Sequence, residues 1–196
     1  MRGWLLQSVS RVEWYCWSVN ERNDTSLLIR SLDFAASKHR MQRRKDEEAS
    51  PYINHPIALM KVLCIEAGVR HPTILSAAAL HDTIEDTETT GQELELEFGS
   101  EIASIVSELT DDKSLPKGER KRLQIEHAPH MSREGALVKL ADKICNLRDV
   151  ADSPPAGWSI ERQRDYFDWA KAVVDRLPRV NAKLSELFVE AYGRRP

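Results

Sequence analysis

Residues 74 to 86, Ile-Leu-Ser-Ala-Ala-Ala-Leu-His-Asp-Thr-Ile-Glu-Asp, constrain the fold more than any other stretch. At about 100° per residue, the first seven positions are apolar or small on every side, which marks a helix running through the middle of a core. The spacing predicts that this helix continues to residue 86, with His81, Asp82, Glu85 and Asp86 crowded into about 140° of arc and Thr83 and Ile84 opposite them. Three acids at the C-terminal end of a buried helix oppose the helix dipole and repel one another, so positive charge must compensate them. A metal cation does so most economically; the alternative is a solvated helix end in which His81 bonds a backbone carbonyl.

The remaining periodicity is also helical. Leu28, Leu32, Ala35 and Ala36 define a helix from about Thr25 to His39, followed by a charged stretch, Arg40 to Glu48, expected as a loop and able to grip phosphate through Arg43, Arg44 and Lys45. Pro51 to Pro56 leads into a second helix, capped by Asn54 or His55, with Ile57, Met60, Leu63, Cys64 and Ala67 inward and Gly68 at its end. Thr90 to Glu93 matches a capping box before a short helix closed by Gly99, and Ser100 can cap the next, with Ile102, Ile105, Val106 and Leu109 inward. A loop from Thr110 to Gly118 precedes Glu119 to Ala128, a basic helix expected on the outside.

Residues 134 to 150 form a second largely buried helix, with Asp142 just past the edge of its apolar arc and Asn146 one turn later on the same side. Such a carboxylate needs a partner: the centre containing His81 and Asp82, or else Lys139 or an arginine. Helices from Ile160 to Leu177 and from about Val180 complete the chain. With no period-2 strand or internal repeat competing, the fold class is all-α.

Charge and composition limit what such a bundle does. The 196 residues suit one compact domain, and 41% are hydrophobic, enough for a core. A net charge of −3 argues against a nucleic-acid coat, and no stretch approaches the roughly eighteen continuous apolar residues of a membrane span. Cys16, Cys64 and Cys145 are odd in number and widely spaced, which favours free thiols in a reducing compartment and a cytoplasmic location. The first twenty residues, aromatic at Trp4, Trp14, Tyr15 and Trp17, lack the h-region and cleavage site of a signal peptide and are expected as an added helix or a tail.

His55, His81, Asp82 and Asp142, presented by three separate helices, make a nitrogen-and-oxygen site suited to manganese, iron or zinc. Glu85 and Asp86 lie one turn beyond, able to orient or deprotonate a water, so the implied class is metal-assisted hydrolysis. The ordered set of His55 in Tyr-Ile-Asn-His-Pro, His81-Asp82 and Asp142 in Lys-Leu-Ala-Asp-Lys resembles the H…HD…D pattern of HD-superfamily metal phosphohydrolases. With Arg43-Arg44-Lys45, Thr110-Asp111-Asp112-Lys113 and Asp142 to Arg148, the chain resembles the hydrolase domain of RelA/SpoT proteins over about residues 25 to 190, and most closely their stand-alone small alarmone hydrolases, a class that includes the metazoan SpoT homologue.

The resemblance implies an HD-domain bundle of about eight to ten helices over residues 25–196, with residues 1–24 an extension of unknown role. It implies metal-dependent hydrolysis of the stringent-response alarmone (p)ppGpp to GDP or GTP and pyrophosphate, with one Mn2+ per chain and no synthetase activity. Carried over by position, His55, His81, Asp82 and Asp142 hold the metal and Glu85 and Asp86 handle the attacking water. Arg44 contacts the guanine side, Lys45 meets phosphate, Asn146 bonds the nucleoside, and Lys117 and Tyr166 serve the phosphate and ribose side. The partner is a nucleotide, ppGpp or pppGpp; the alternatives are a phosphatase acting on NADPH or another 2′- or 3′-phosphorylated nucleotide, and a module that senses alarmone without cleaving it. The sequence is silent on oligomeric state.

Overall fold

The computed structural model describes residues 13–196, with side chains from residue 24. The expectations for Trp4, Trp14, Tyr15, Cys16 and Trp17 therefore fall outside the described side chains. Ten α-helices make up the described fold, with a single isolated antiparallel bridge, Arg43 to Pro51, and no strand among the described residues. They are α1 (Glu13–Lys38), α2 (Asn54–Lys61), α3 (Pro72–Leu80), α4 (Thr83–Asp86) and α5 (Gly91–Phe98). After these come α6 (Ser100–Leu109), α7 (Lys117–His127), α8 (Arg133–Asp152), α9 (Ile160–Val174) and α10 (Ala182–Tyr192).

α3 is the axis. Every residue from Ile74 to Leu80 is buried, as its all-round apolar sequence requires, and it packs against α1, α2, α6 and α8. α8 is the second buried member, carrying Leu137, Val138, Ala141, Ile144 and Leu147 into the same core while α9 and α10 close over its far side. Side-chain caps set several starts: Thr90 accepts from the Glu93 amide at 3.1 Å, Ser132 from Gly135 at 2.9 Å, Ser159 from Arg162 at 3.2 Å and Asn181 from Leu184 at 2.9 Å.

Four local expectations need correction. The helix over 74–86 is interrupted: His81 ends α3, and Asp82, at φ −103° and ψ 1°, leaves the helical region before α4 begins. Thr83 Oγ donates to the Leu80 carbonyl at 2.7 Å, satisfying an acceptor that the break would strand. In α2, neither Asn54 nor His55 caps the helix, and its continuation Val62–Glu66 is a π-helical turn. The buried stripe is Leu59, Val62 and Leu63, with Ile57 48% exposed, an offset already present in the first turns of α2 before the π-helical turn. Gly99 at φ +87°, a backbone that side chains rarely adopt, occupies the capping position before α6, so Ser100 is its first residue. α9 ends at Val174 rather than Leu177. Among the described residues, no helix is long and apolar enough to cross a membrane.

Because Leu147 is fully enclosed at the centre of α8, Leu147→Ala is expected to cost about 2–5 kcal/mol. Leu96, 81% exposed on α5, should tolerate alanine within about 0.5 kcal/mol. Urea unfolding midpoints of the two variants check the contrast.

Candidate functional site

The break in the central helix makes the site. It turns the His81 ring so that Nδ1 lies 2.9 Å from the Ala78 carbonyl oxygen. A carbonyl only accepts, so Nδ1 carries a proton and Nε2 is the nitrogen aimed into the cavity, with a lone pair to offer whenever the ring is neutral. The solvated helix end is thereby excluded, although the carbonyl bond proposed with it does form: His81 is only 5% exposed.

Three segments converge there. α2 brings His55, 3% exposed, whose Nε2 lies 3.2 Å from Asp142 Oδ1 on α8. The α3–α4 turn brings His81 Nε2 to 2.8 Å from Asp82 Oδ2 and 4.0 Å from Asp142 Oδ1. Donor atoms of His55, His81 and Asp82 all lie within 4.8 Å of one another. His81 Nε2 is buried without a hydrogen-bond partner, as is His55 Nδ1, the ring nitrogen other than the one that meets Asp142. A buried, unpartnered His81 Nε2 beside two carboxylates fits a cation, and this mixed imidazole and carboxylate set suits a divalent metal.

Without a metal, the same acids favour a protonated His81 ring, and a cation would take the place of that proton. Burial alone would lower the His81 pKa, but the adjoining Asp82 and Asp142 carboxylates push it up to about 9. Burial likewise works to raise both aspartates, yet His81 holds Asp82 below the usual carboxylate range, and Lys143 and His55 hold Asp142 well below it. The partner of Asp142 on its own helix is Lys143, 3.2 Å away, rather than Lys139, which donates to the Leu109 carbonyl. Asn146 donates to Asp142 Oδ1 at 2.5 Å, and the Tyr52 hydroxyl donates to Asp82.

Glu85 and Asp86 border the same cavity. Glu85 Oε2 accepts from the Asp111 amide at 3.1 Å, with Arg120 3.5 Å from Oε1. Burial raises its pKa, and Asp82, Asp111 and Asp86 add to the rise. Asp86 accepts from Gln42 at 2.8 Å and from Lys113.

This metal-facing cavity, about 430 Å³, opens into a larger one of about 820 Å³, and Arg44, Lys45, Lys117 and Asn146 line both. Tyr166, in ring contact with Trp158 and Trp169, walls the larger lobe. All eleven residues singled out in the sequence thus line one two-lobed cleft. Arg44 does not face it as a free cation, since it pairs with Asp149 and sits 5.8 Å over the Tyr52 ring. The basic helix is not wholly external either: no α7 residue is fully buried, yet Lys117, Arg120 and Gln124 face the metal lobe. Sequence reasoning missed Tyr52, Gln42, Lys143 and Trp158. Only Lys143, adjacent to Asp142, carried a readable signal.

A family model described as the HD domain matches residues 31–166. The guanosine-3′,5′-bis(diphosphate) 3′-pyrophosphohydrolase MESH1 of Xenopus tropicalis is 51% identical over 172 residues, which cover 86% of this chain and 96% of that protein. Its human counterpart is 51% identical over 173 residues, covering 88% and 97%. A solved structure of a metazoan orthologue of SpoT, described as hydrolysing ppGpp, superposes with a TM-score of 0.83 at 47% identity, over 86% of this chain and 95% of that one.

A pH dependence follows for chelator-treated protein. His81, raised from 6.5 to about 9, contributes stability that is fully present below pH 6.5 and lost as pH rises through 9. Asp82 and Asp142, both lowered, contribute stability that is present above the ordinary carboxylate range and lost in acid. Thermal unfolding should show Tm falling from pH 6.5 to 9, and His81→Gln should flatten that slope. An unchanged slope in the variant would show that His81 is neutral in the folded, metal-free protein.

Proposed function

Because the chain belongs to the HD-domain family, with relatives 51% identical over nearly their whole length, we propose that it is a guanosine-3′,5′-bis(diphosphate) 3′-pyrophosphohydrolase. It removes the 3′-diphosphate of (p)ppGpp, leaving GDP or GTP and pyrophosphate, and no synthetase activity is assigned to these residues. One geometric observation carries this reading: His81 Nε2, aimed by the Ala78 carbonyl, clusters with donor atoms of His55 and Asp82 within 4.8 Å and lies 4.0 Å from Asp142, in a cleft whose walls carry lysine and arginine.

In this reading His55, His81, Asp82 and Asp142 hold one divalent metal, manganese by resemblance. When bound, the metal polarises a phosphoryl oxygen and lowers the pKa of water. The chain's own residues do the rest. Glu85, with its raised pKa, is suited to take a proton from the attacking water near neutral pH. Asp86, gripped through both oxygens, is suited to orient that water. Water adds to the phosphorus nearest the ribose, the bond to the 3′ oxygen breaks, and that oxygen leaves with a proton. Lys45 and Lys117 offer charge to phosphate, and Arg44 reaches the nucleoside side on exchanging its Asp149 partner. Asn146 holds Asp142 through its amide nitrogen and can offer its carbonyl to the nucleoside. Tyr166 forms part of the nucleoside wall. A cytoplasmic setting is consistent with the free thiols of Cys64 and Cys145.

Product analysis after incubation with ppGpp and manganese, beside a chelator control, is the decisive test. GDP and pyrophosphate appearing only with metal is the expected outcome. Intact ppGpp beside efficient NADPH dephosphorylation would instead assign the same centre to the other nucleotide, and tight ppGpp binding without cleavage would make it a sensor. Asp82→Ala should lose metal and activity together, whereas Glu85→Ala should keep metal and lose about 100- to 10,000-fold in rate, the usual contribution of a general base.

A further inference from the structure

Between α1 and α2 the chain runs from His39 to Ile53 and carries Arg44 and Lys45 near its middle. Both ends of this segment reach acids of the cleft. Tyr52 bonds Asp82 through its hydroxyl, and Gln42 Nε2 donates to Asp86 Oδ2 at 2.8 Å. Apart from the Gln42 bond to Asp86, neither His39 nor Gln42 has a part in the chemistry described above.

The bonding around Gln42 admits one arrangement. Asp86, paired through its other oxygen with the Lys113 ammonium, accepts hydrogen bonds, so the Gln42 amide nitrogen must face it. The amide oxygen then points back to His39 Nδ1, 2.6 Å away, and that nitrogen must be the donor. His39 cannot easily turn. It is 2% exposed, its backbone amide bonds Ala35 at 2.9 Å, and its ring lies 4.7 Å from the Tyr52 ring at an angle of 34°. The Gln42 backbone is held as well, its amide on the His39 carbonyl at 2.9 Å and its own carbonyl accepting from the Tyr52 amide at 3.2 Å. A buried imidazole therefore orients an amide, and the amide orients a carboxylate that handles water.

We propose that Gln42, its amide direction set by His39, is a positioning residue that holds Asp86 in its working orientation and ties it to the segment bearing Arg44 and Lys45. The proposal rests on the hydrolase reading above. It also gives the position of the substrate-facing loop a direct route to the reacting water. A displaced loop pulls Gln42 off Asp86, and the carboxylate is then free to swing toward Lys113 alone.

Steady-state kinetics on ppGpp with manganese test it, using Gln42→Met, His39→Phe and the double variant. Methionine keeps the length of glutamine and removes both amide groups; phenylalanine keeps the ring against Tyr52 and removes the donor. Gln42→Met should lower kcat about 10- to 100-fold, as loss of an outer hydrogen-bond partner does, with manganese affinity and Tm little changed. KM should stay within about twofold, because substrate contacts are intact. His39→Phe should lose less, and the double variant should be no slower than Gln42→Met, since both act through one path. A raised KM or lowered Tm with kcat unchanged would reduce Gln42 to a loop support and overturn the proposal, as would fully additive losses in kcat. Wild-type protein that leaves ppGpp intact would refute the hydrolase reading alone. A crystal structure of Gln42→Met then decides the inference without turnover: a displaced Asp86 side chain supports it, and one in its wild-type place overturns it.

Discussion

Two carboxylates, Asp82 and Asp142, stand beside one another at the inner end of an apolar helix, and their compensation organises the molecule. Removing charge from water is expensive unless opposite charge and hydrogen bonds meet it. Here the compensation comes from several directions: the rings of His55 and His81, the Lys143 ammonium, the Tyr52 hydroxyl and the Asn146 amide. Lys143 is itself kept in place by the Trp169 ring, 4.4 Å from its nitrogen. His81 Nε2, buried between the two acids without a hydrogen-bond partner, marks the place a cation would fit.

The fold supplies each of these groups from a rigid element. α3 delivers His81 only because its helix stops at the required turn, and Thr83 and the Ala78 carbonyl make that stop inexpensive. α8 lies alongside, buried over most of its length, so Asp142, Lys143 and Asn146 share one fixed backbone. A site carried on buried helices keeps its geometry more closely than one carried on loops.

The cleft above is less rigid in character. Its cations are engaged with acids: Arg44 with Asp149, Lys113 with Asp86 and Arg120 with Glu85. Such partly exposed pairs are individually weak, so an incoming phosphate can exchange for the carboxylate at little cost. The lysines at the cleft wall are also close together. Burial, Arg162 and Lys45 lower the pKa of Lys117, as expected where positive charge gathers ahead of an anionic ligand.

Much of this was legible in the residues alone. The all-round apolar stretch from Ile74 to Leu80 could only be a central helix, and the ordered His55, His81-Asp82 and Asp142 could be read as one centre, because periodicity and residue chemistry are local properties. Continuity of the helix through Asp82 was misjudged, since a one-residue departure from helical geometry leaves no mark on hydrophobic spacing. The inner stripe of α2 differs from the one its spacing predicts already at Ile57 and Leu59, before the π-helical turn, because the face that a short helix buries depends on what packs against it. Tyr52, Gln42 and Trp158 look like ordinary loop residues in sequence. Only the tertiary structure brings Tyr52 to Asp82 and Gln42 to Asp86, across 30 and 44 residues, because such partners are chosen by how helices pack and not by anything written within a few positions of either residue.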